Sequence, residues 1–345
     1  MVNVTLLSLQ LRRASRWCKW DMMFRRQHAH SHGDPRAHSH EPSHSHTHGA
    51  IDPGILDTQQ GVAAVKWSFL GLLVTAFLQL AIVFLSNSTA LLADTIHNFT
   101  DAATALPLWI AFTLAHCKPT KRFTYGYGRV EDLAGLLVIL AIASSAIGAA
   151  YVAIDRLFHP QTVGYIGAVM GASVIGFLGN EVVARIRIRA GQKIGSAALI
   201  ADGFHARADG FTSLSVLIGA LGVWLGYPLA DPLVGLFISI VICRMVWQAS
   251  KAVFLRLLDG VDPQVVEEIR EAACETPGVA EVTEARVRWI GHRLHAELNV
   301  AVNPALSIDR AHDIAKEVRH TLLHQLQYLS NATIHLDPPV SSPEW

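Results

Sequence analysis

Six apolar runs, near residues 65–85, 89–115, 130–155, 162–184, 196–224 and 229–249, dominate the chain. Each approaches or exceeds the roughly 20 residues that an α-helix needs to cross the hydrocarbon core of a bilayer. In lipid, every backbone N–H and C=O must be satisfied within its own segment or a closed barrel, so runs of this length predict membrane helices. The 345 residues are 51% apolar and 16% charged, which sets the chain apart from ordinary soluble domains. Short connections between the runs predict an antiparallel all-α bundle of six helices.

The basic residues orient that bundle. Arg12, Arg13, Arg16, Lys19, Arg25 and Arg26 precede the first run, and Lys118, Lys121, Arg122 and Arg129 separate the second from the third. Arg185, Arg187, Arg189 and Lys193 follow the fourth run, and Lys251 and Arg256 follow the sixth. The alternate loops, near 86–89, 156–161 and 225–228, carry Arg156 as their one clear positive charge. By the positive-inside rule both termini are expected in the cytoplasm of a six-pass protein of the plasma (inner) membrane. Net charge is zero, and no nucleic-acid partner is expected. Cys18, Cys117, Cys243 and Cys274 form no Cys-x-x-Cys, so neither a disulfide framework nor a zinc finger is indicated. Val2–Leu11 lacks a basic flank and a small-residue cleavage site, so insertion is expected to rely on the first membrane helix, with Met22 and Met23 as candidate starts.

Two near copies of one motif bury charge inside the second and fifth runs. Ala90-Leu-Leu-Ala-Asp94-Thr-Ile-His97-Asn-Phe-Thr-Asp101 is matched by Ala198-Leu-Ile-Ala-Asp202-Gly-Phe-His205-Ala-Arg-Ala-Asp209. On an α-helix each His lies one turn from the following Asp, about 6 Å along the axis. A charged residue at the middle of a membrane helix costs about 2.5–3.5 kcal/mol even on a lenient insertion scale, and such residues usually serve function. His97, Asp101, His205 and Asp209 therefore form the expected cation site, with two imidazoles and two carboxylates suited to a four-coordinate zinc ion. Magnesium and calcium prefer six or more oxygens, whereas manganese, ferrous iron, cobalt and cadmium remain open. Asp94 and Asp202 are candidates for entry ligands, helix-end groups or groups that orient the ligands. Binding requires neutral imidazole and ionised carboxylate, so protons compete with the metal, in the range set by the ordinary histidine pKa of about 6.5. That competition suits an antiporter with its site near the midplane.

Outside the runs the composition changes twice. His28, His30, His32, His38, His40, His44, His46 and His48 crowd residues 28–48, a disordered tract expected to capture metal. From Asp259 the pattern is that of a soluble domain: a helix opened by Asp262-Pro263 and broken at Pro277-Gly278, strands near 279–289 and 293–302 around Gly291-His292, a helix from Ser307 to about Gln327, and a last strand over Ala332–Leu336. The α-β-β-α-β order predicts a small two-layer α+β domain that oligomerisation would help to stabilise. The expected division is 1–60 for the N-terminal segment, 61–255 for the membrane domain, 256–338 for the soluble domain and 339–345 for a tail. Gly167, Gly171 and Gly176 are expected to form a packing face on the fourth helix.

These motifs resemble the cation diffusion facilitator family, the proton-coupled exporters of zinc and related metals. The resemblance rests on Ser88-Thr-Ala-Leu-Leu-Ala-Asp94 with His97 and Asp101, Tyr125-Gly-Tyr-Gly-Arg129-Val-Glu131, Ala201-Asp202 with His205 and Asp209, Asp231-Pro232-x-x-Gly235, and Ile334-His335-x-Asp337-Pro338. It implies six membrane helices, a cytoplasmic ferredoxin-like domain, a homodimer, and transport through His97, Asp101, His205 and Asp209. Histidine at position 97 implies a tendency toward zinc, as substrate rather than as a resident cofactor. It further implies regulatory metal ligands at His312, His335 and Asp337. Thr283 and Asn299 stand where some relatives carry His, so a weaker or single site is expected in place of a two-metal site, with His295 nearby as a substitute ligand. Between the second and third runs, where some relatives carry a further His/Asp cluster, only His116 and Cys117 are close, and no site is expected there. His292, His320 and His324 are expected on the solvated surface. An intramembrane metalloenzyme lacks a His-Glu-x-x-His or a paired nucleophile, so no enzyme is expected. A membrane metal sensor without transport would not need ligands inside the bilayer.

Overall fold

The computed structural model describes residues 53–86, 105–158, 166–227, 229–326 and 328–339. Asp94, His97, Asp101 and the tract of eight histidines lie outside them. Six described helices come first: α1 (Pro53–Ser86), α2 (Ala105–Ala115), α3 (Arg129–Phe158), α4 (Ile166–Ile194), α5 (Ala197–Trp224) and α6 (Ala230–Leu257). Within them, Thr58–Phe84, Arg129–Phe158, Ile166–Ile194 and Ala230–Leu257 are long and apolar enough to cross a membrane. Helix α5 is continuous over 28 residues, but Asp202, Arg207 and Asp209 interrupt its apolar sequence.

The bundle is apolar outside and polar within, as lipid requires. Trp67, Phe77, Phe84, Leu137, Ile147, Tyr151, Phe237, Ile240 and Trp247 are exposed, while Ser68, Thr75, Gln79, Asn180, Arg187, Asp202 and His205 are buried. In water such a surface would aggregate; in a bilayer it faces hydrocarbon. Helices α4 and α5 pack most closely, joined by a turn at Gly195 with φ +69°. A Cβ on Gly203 would stand 2.5 Å from Ile188 Cγ1 and 3.0 Å from the Ile188 backbone nitrogen, and one on Gly191 would stand 2.9 Å from the Ile200 nitrogen. The two backbones therefore touch where small residues face each other. Gly203→Val is expected to prise α4 from α5 and cost about 1–3 kcal/mol, read as a lower thermal midpoint of the protein in detergent.

The packing face of α4 departs from expectation. Among the described residues a Cβ on Gly167 or Gly171 would meet nothing within 4 Å, whereas one on Gly176 would abut Ser213 and Gln79, and one on Gly179 would abut Thr75. The glycines that matter are those facing a polar or small side chain on another helix. Nor does α4 end near residue 184. It continues to Ile194, so Arg185, Arg187, Arg189 and Lys193 are helical, and Arg187 is fully buried.

The soluble part follows the predicted order: α7 (Pro263–Cys274), β1 (Val279–Ile290), β2 (Arg293–Val302), α8 (Ile308–Gln325) and β3 (Leu329–Asp337). The sheet order is β1-β2-β3, with β1 antiparallel to β2 and β2 parallel to β3. Asp262 caps α7 by accepting from the Gln264 backbone N–H at 3.0 Å, with Pro263 in the first turn. Ile269, Ala273, Leu298, Val300, Val318 and Leu322 form the core between helices and sheet. Residues Gly291 and His292 close the β1–β2 hairpin between paired Ile290 and Arg293, and Gly291 takes the φ of +63° that such a turn favours.

Candidate metal site and its supports

Helix α5 begins at Ser196, whose side chain accepts from the Leu199 backbone N–H at 3.1 Å. Two turns later the stripe predicted from the sequence lies inside the bundle. His205 and Asp209 are both buried, with His205 Nδ1 3.7 Å from Asp209 Oδ2. An imidazole and a carboxylate one turn apart offer half of a tetrahedral cation site. Arg207, between them in sequence, is drawn to α4, where its Nε donates to Glu181 Oε2 at 3.2 Å. It shares that carboxylate with Arg185 of α4, whose Nε donates to Glu181 Oε1 at 2.7 Å.

Asp202, one turn before His205, is engaged elsewhere. Arg187 Nη1 lies 3.0 Å from Asp202 Oδ1, with both side chains essentially inaccessible. Arg187 Nε also donates to Ser68 Oγ on α1 at 3.0 Å. The geometry gives Asp202 a role outside those expected for it, a buried ion-pair partner tying α5 to α4 and, through Arg187, to α1. Sequence reasoning missed Arg187 because it sat beyond an apolar run and looked like a flanking basic residue.

At the end of the bundle nearest the α/β domain, the hairpin tip is inserted among the helices. His292 is 3% exposed, which corrects its expected place on the solvated surface. Its backbone N–H donates to Glu131 Oε2 at 3.2 Å, and its ring Nδ1 lies 2.7 Å from the same oxygen. The other ring nitrogen is 3.0 Å from Thr58 Oγ1 on α1, and the ring tilts against Phe112 of α2 at 5.7 Å. Ser196 Oγ donates to Glu131 Oε1 at 2.5 Å. Gly291 N–H donates to Asp132 Oδ2 at 3.3 Å. Arg256 from α6 donates to the Gly195 and Gly291 carbonyls at 2.5 and 3.2 Å, and its guanidinium stacks 4.2 Å over the Trp289 ring.

This junction accounts for much of the Tyr125–Glu131 motif. A Cβ on Gly128 would meet the Ile290 carbonyl at 2.8 Å, so only glycine lets the hairpin approach. Arg129 pairs with Asp259 and donates to the Arg256 carbonyl at 3.0 Å, and Glu131 receives His292. The available signal was an acidic pair, Glu131 and Asp132, opening an apolar helix where the one nearby cation, Arg129, reaches Asp132 at 3.7 Å.

The expected regulatory ligands do not converge within one chain. Among the described residues, no three His, Cys, Asp or Glu side chains are grouped to hold a metal ion. His335 Nε2 and Asp337 Oδ1 are 3.3 Å apart, and Asp337 Oδ2 accepts from Thr283 Oγ1 at 3.3 Å. His295 pairs in register with Asn331, and His335 with Asn299, a separation of four residues or about 13 Å along the strands. That distance keeps His295 and His335 of one chain from sharing a metal ion. Burial, helped by Arg288 and Arg293, pushes the His295 pKa below the ordinary histidine value. His312 is exposed on α8, whose buried residues pack on the core face of the sheet, away from His335. His320 and His324 are exposed with ring centroids 4.3 Å apart. His116 hydrogen-bonds the Phe112 carbonyl oxygen at 2.8 Å and joins no cluster.

Residues 65–258 match the cation efflux transmembrane domain, and residues 261–339 match the cation efflux protein cytoplasmic domain. The chain is 53% identical over 314 residues to a probable cation efflux system protein of Mycobacterium tuberculosis, covering 90% of this chain and 94% of that one. It is 25% identical over 286 residues to the manganese efflux system protein MneS of Bacillus subtilis, covering 82% and 97% respectively. A solved C-terminal domain of MamM in a manganese form is 26% identical, covers 22% of this chain and 99% of that one, and has a TM-score of 0.22. The charged stripe inside an apolar bundle, the α/β domain that follows it and the two family matches lead to one assignment: the chain belongs to the cation efflux, or cation diffusion facilitator, family of membrane metal transporters.

Proposed function

We propose that the chain exports divalent cations, zinc foremost, from the cytoplasm in exchange for protons. The observation that carries this reading is the buried His205 and Asp209 pair on α5, with Asp209 lining a cavity that also reaches Arg156 and Asp231 at the ends of α3 and α6. His97 and Asp101 repeat the same spacing and would complete a set of two imidazoles and two carboxylates. Such a set binds a borderline cation when deprotonated and releases it when protonated. The α/β domain and both termini lie in the cytoplasm on this reading, and the active form is a homodimer in the plasma (inner) membrane. The tract at residues 28–48 gathers metal on the same side.

A second reading keeps the fold and makes manganese the main substrate, since one relative is named for manganese efflux; cobalt, cadmium and ferrous iron belong to the same alternative. The test is uptake of each metal into proteoliposomes across an imposed pH gradient. Zinc movement should follow the proton gradient and fall by more than about tenfold in Asp209→Ala, at least the loss that even outer groups of a metal site incur. Movement of manganese in preference to zinc would select the second reading. Uptake by Asp209→Ala equal to that of the unmodified protein would remove α5 from the pathway. His97→Asp should shift preference from zinc toward manganese, because carboxylate suits harder ions.

A further inference from the structure

Arg156 is the exception to the charge pattern, a lone clear positive charge on the basic-poor side of the chain. It stands in the last turn of α3 and donates from Nη1 to Asp231 Oδ2 at 2.8 Å. Asp231 opens α6 and is admitted by glycine on the facing helix, since a Cβ on Gly219 of α5 would lie 2.3 Å from Asp231 Oδ1. Arg156, Asp231, Pro232 and Gly235 all line a cavity of about 450 Å³ between α3, α5 and α6. Asp209 lines the same cavity. Ten residues of α5 separate Asp209 from Gly219, about 15 Å of helix, so the ion pair stands one cavity length beyond the candidate ligand.

A cation leaving Asp209 through this cavity moves along a wall that carries both charges. A free carboxylate within a low-dielectric wall would hold it, and a free guanidinium would repel it. Paired, the two present almost no net charge. We propose that Arg156 and Asp231 form a neutralised exit gate: Arg156 occupies the Asp231 carboxylate so that the departing cation is not trapped, and Asp231 cancels the guanidinium that would turn it back. The pair tunes release without contributing to the metal site, and the Asp231-Pro232-x-x-Gly235 motif is the device that positions it against α3 and α5. The inference rests on the transport reading above.

The test uses the full chain in proteoliposomes, with zinc and manganese as probes under an imposed pH gradient. Arg156→Gln, which frees Asp231, should lower KM and turnover together, each by about tenfold, for the strength of attraction at this range. Asp231→Asn, which frees Arg156, should lower turnover by a similar factor without lowering KM. The double variant Arg156→Gln with Asp231→Asn should return turnover to within about threefold of the unmodified protein, and Arg156→Lys should resemble it, since both keep the pair neutral. If Arg156→Gln and the double variant lose turnover alike with KM unchanged, the pair is only a brace between α3 and α6 and the inference fails. If the unmodified protein moves neither metal, the transport reading fails first and the gate falls with it.

Discussion

Arg187→Met is expected to lose about 3–5 kcal/mol of stability, the range for removing one member of a buried ion pair. The substitution leaves the Asp202 carboxylate inside the bundle with its partner gone, where both side chains are at most 1% exposed. It also removes the donor that Ser68 Oγ accepts from, leaving that hydroxyl with its bond to the Val65 carbonyl alone. Arg187→Met combined with Asp202→Leu should recover most of the loss, because two apolar groups of similar size need no partner. Thermal unfolding of the purified protein in detergent reads both variants. A single variant that melts with the unmodified protein would show that water reaches Asp202 and that the pair is not sealed. Since Asp202 lies one turn before His205, the single variant should also weaken metal binding at α5, while the double variant restores it.

Glu131→Ala should detach the hairpin tip from the bundle. Three donors lose their acceptor at once: the His292 backbone N–H, its ring nitrogen and the Ser196 hydroxyl. Each stranded buried group costs about 1–3 kcal/mol, so the junction loses several kcal/mol in total. Limited proteolysis at the Leu258–Asp262 linker should accelerate by more than about tenfold, in line with that loss. Trp289, now covered by Arg256, should shift its fluorescence toward the red as it meets water. Glu131→Gln keeps the shape and one acceptor and should show a smaller effect. Equal cleavage rates in Glu131→Ala and the unmodified protein would mean that Arg256 and Gly291 hold the junction without the carboxylate.

Local periodicity was enough to read much of this molecule. His205 and Asp209 recur one helical turn apart in an apolar run, a pattern whose meaning is contained in a dozen residues. The α-β-β-α-β order followed from Asp262-Pro263, Gly291-His292 and Ser307, each of which acts on its immediate neighbours. The failures share a different cause. Arg187 was taken for a flanking basic residue because its partner, Asp202, is on another helix and its other contact, Ser68, is 119 positions away. His292 was placed in solvent because it sits at a hairpin tip, and nothing near it in sequence indicates a pocket 161 residues upstream at Glu131. The packing glycines of α4 were misjudged for the same reason: Gly176 and Gly167 look alike until the facing helix supplies a neighbour. Long-range complementarity between polar groups leaves no local period to detect.

The socket for the hairpin tip is made of Thr58, Phe112, Glu131, Ser196 and Arg256, contributed by chain that leaves the ribosome before His292. The tip therefore finds its socket only after those helices have been inserted and brought together. Docking of the α/β domain becomes a built-in inspection of membrane assembly: a chain with one helix misplaced presents an incomplete socket, an undocked domain and an exposed linker, which quality-control proteases can cut.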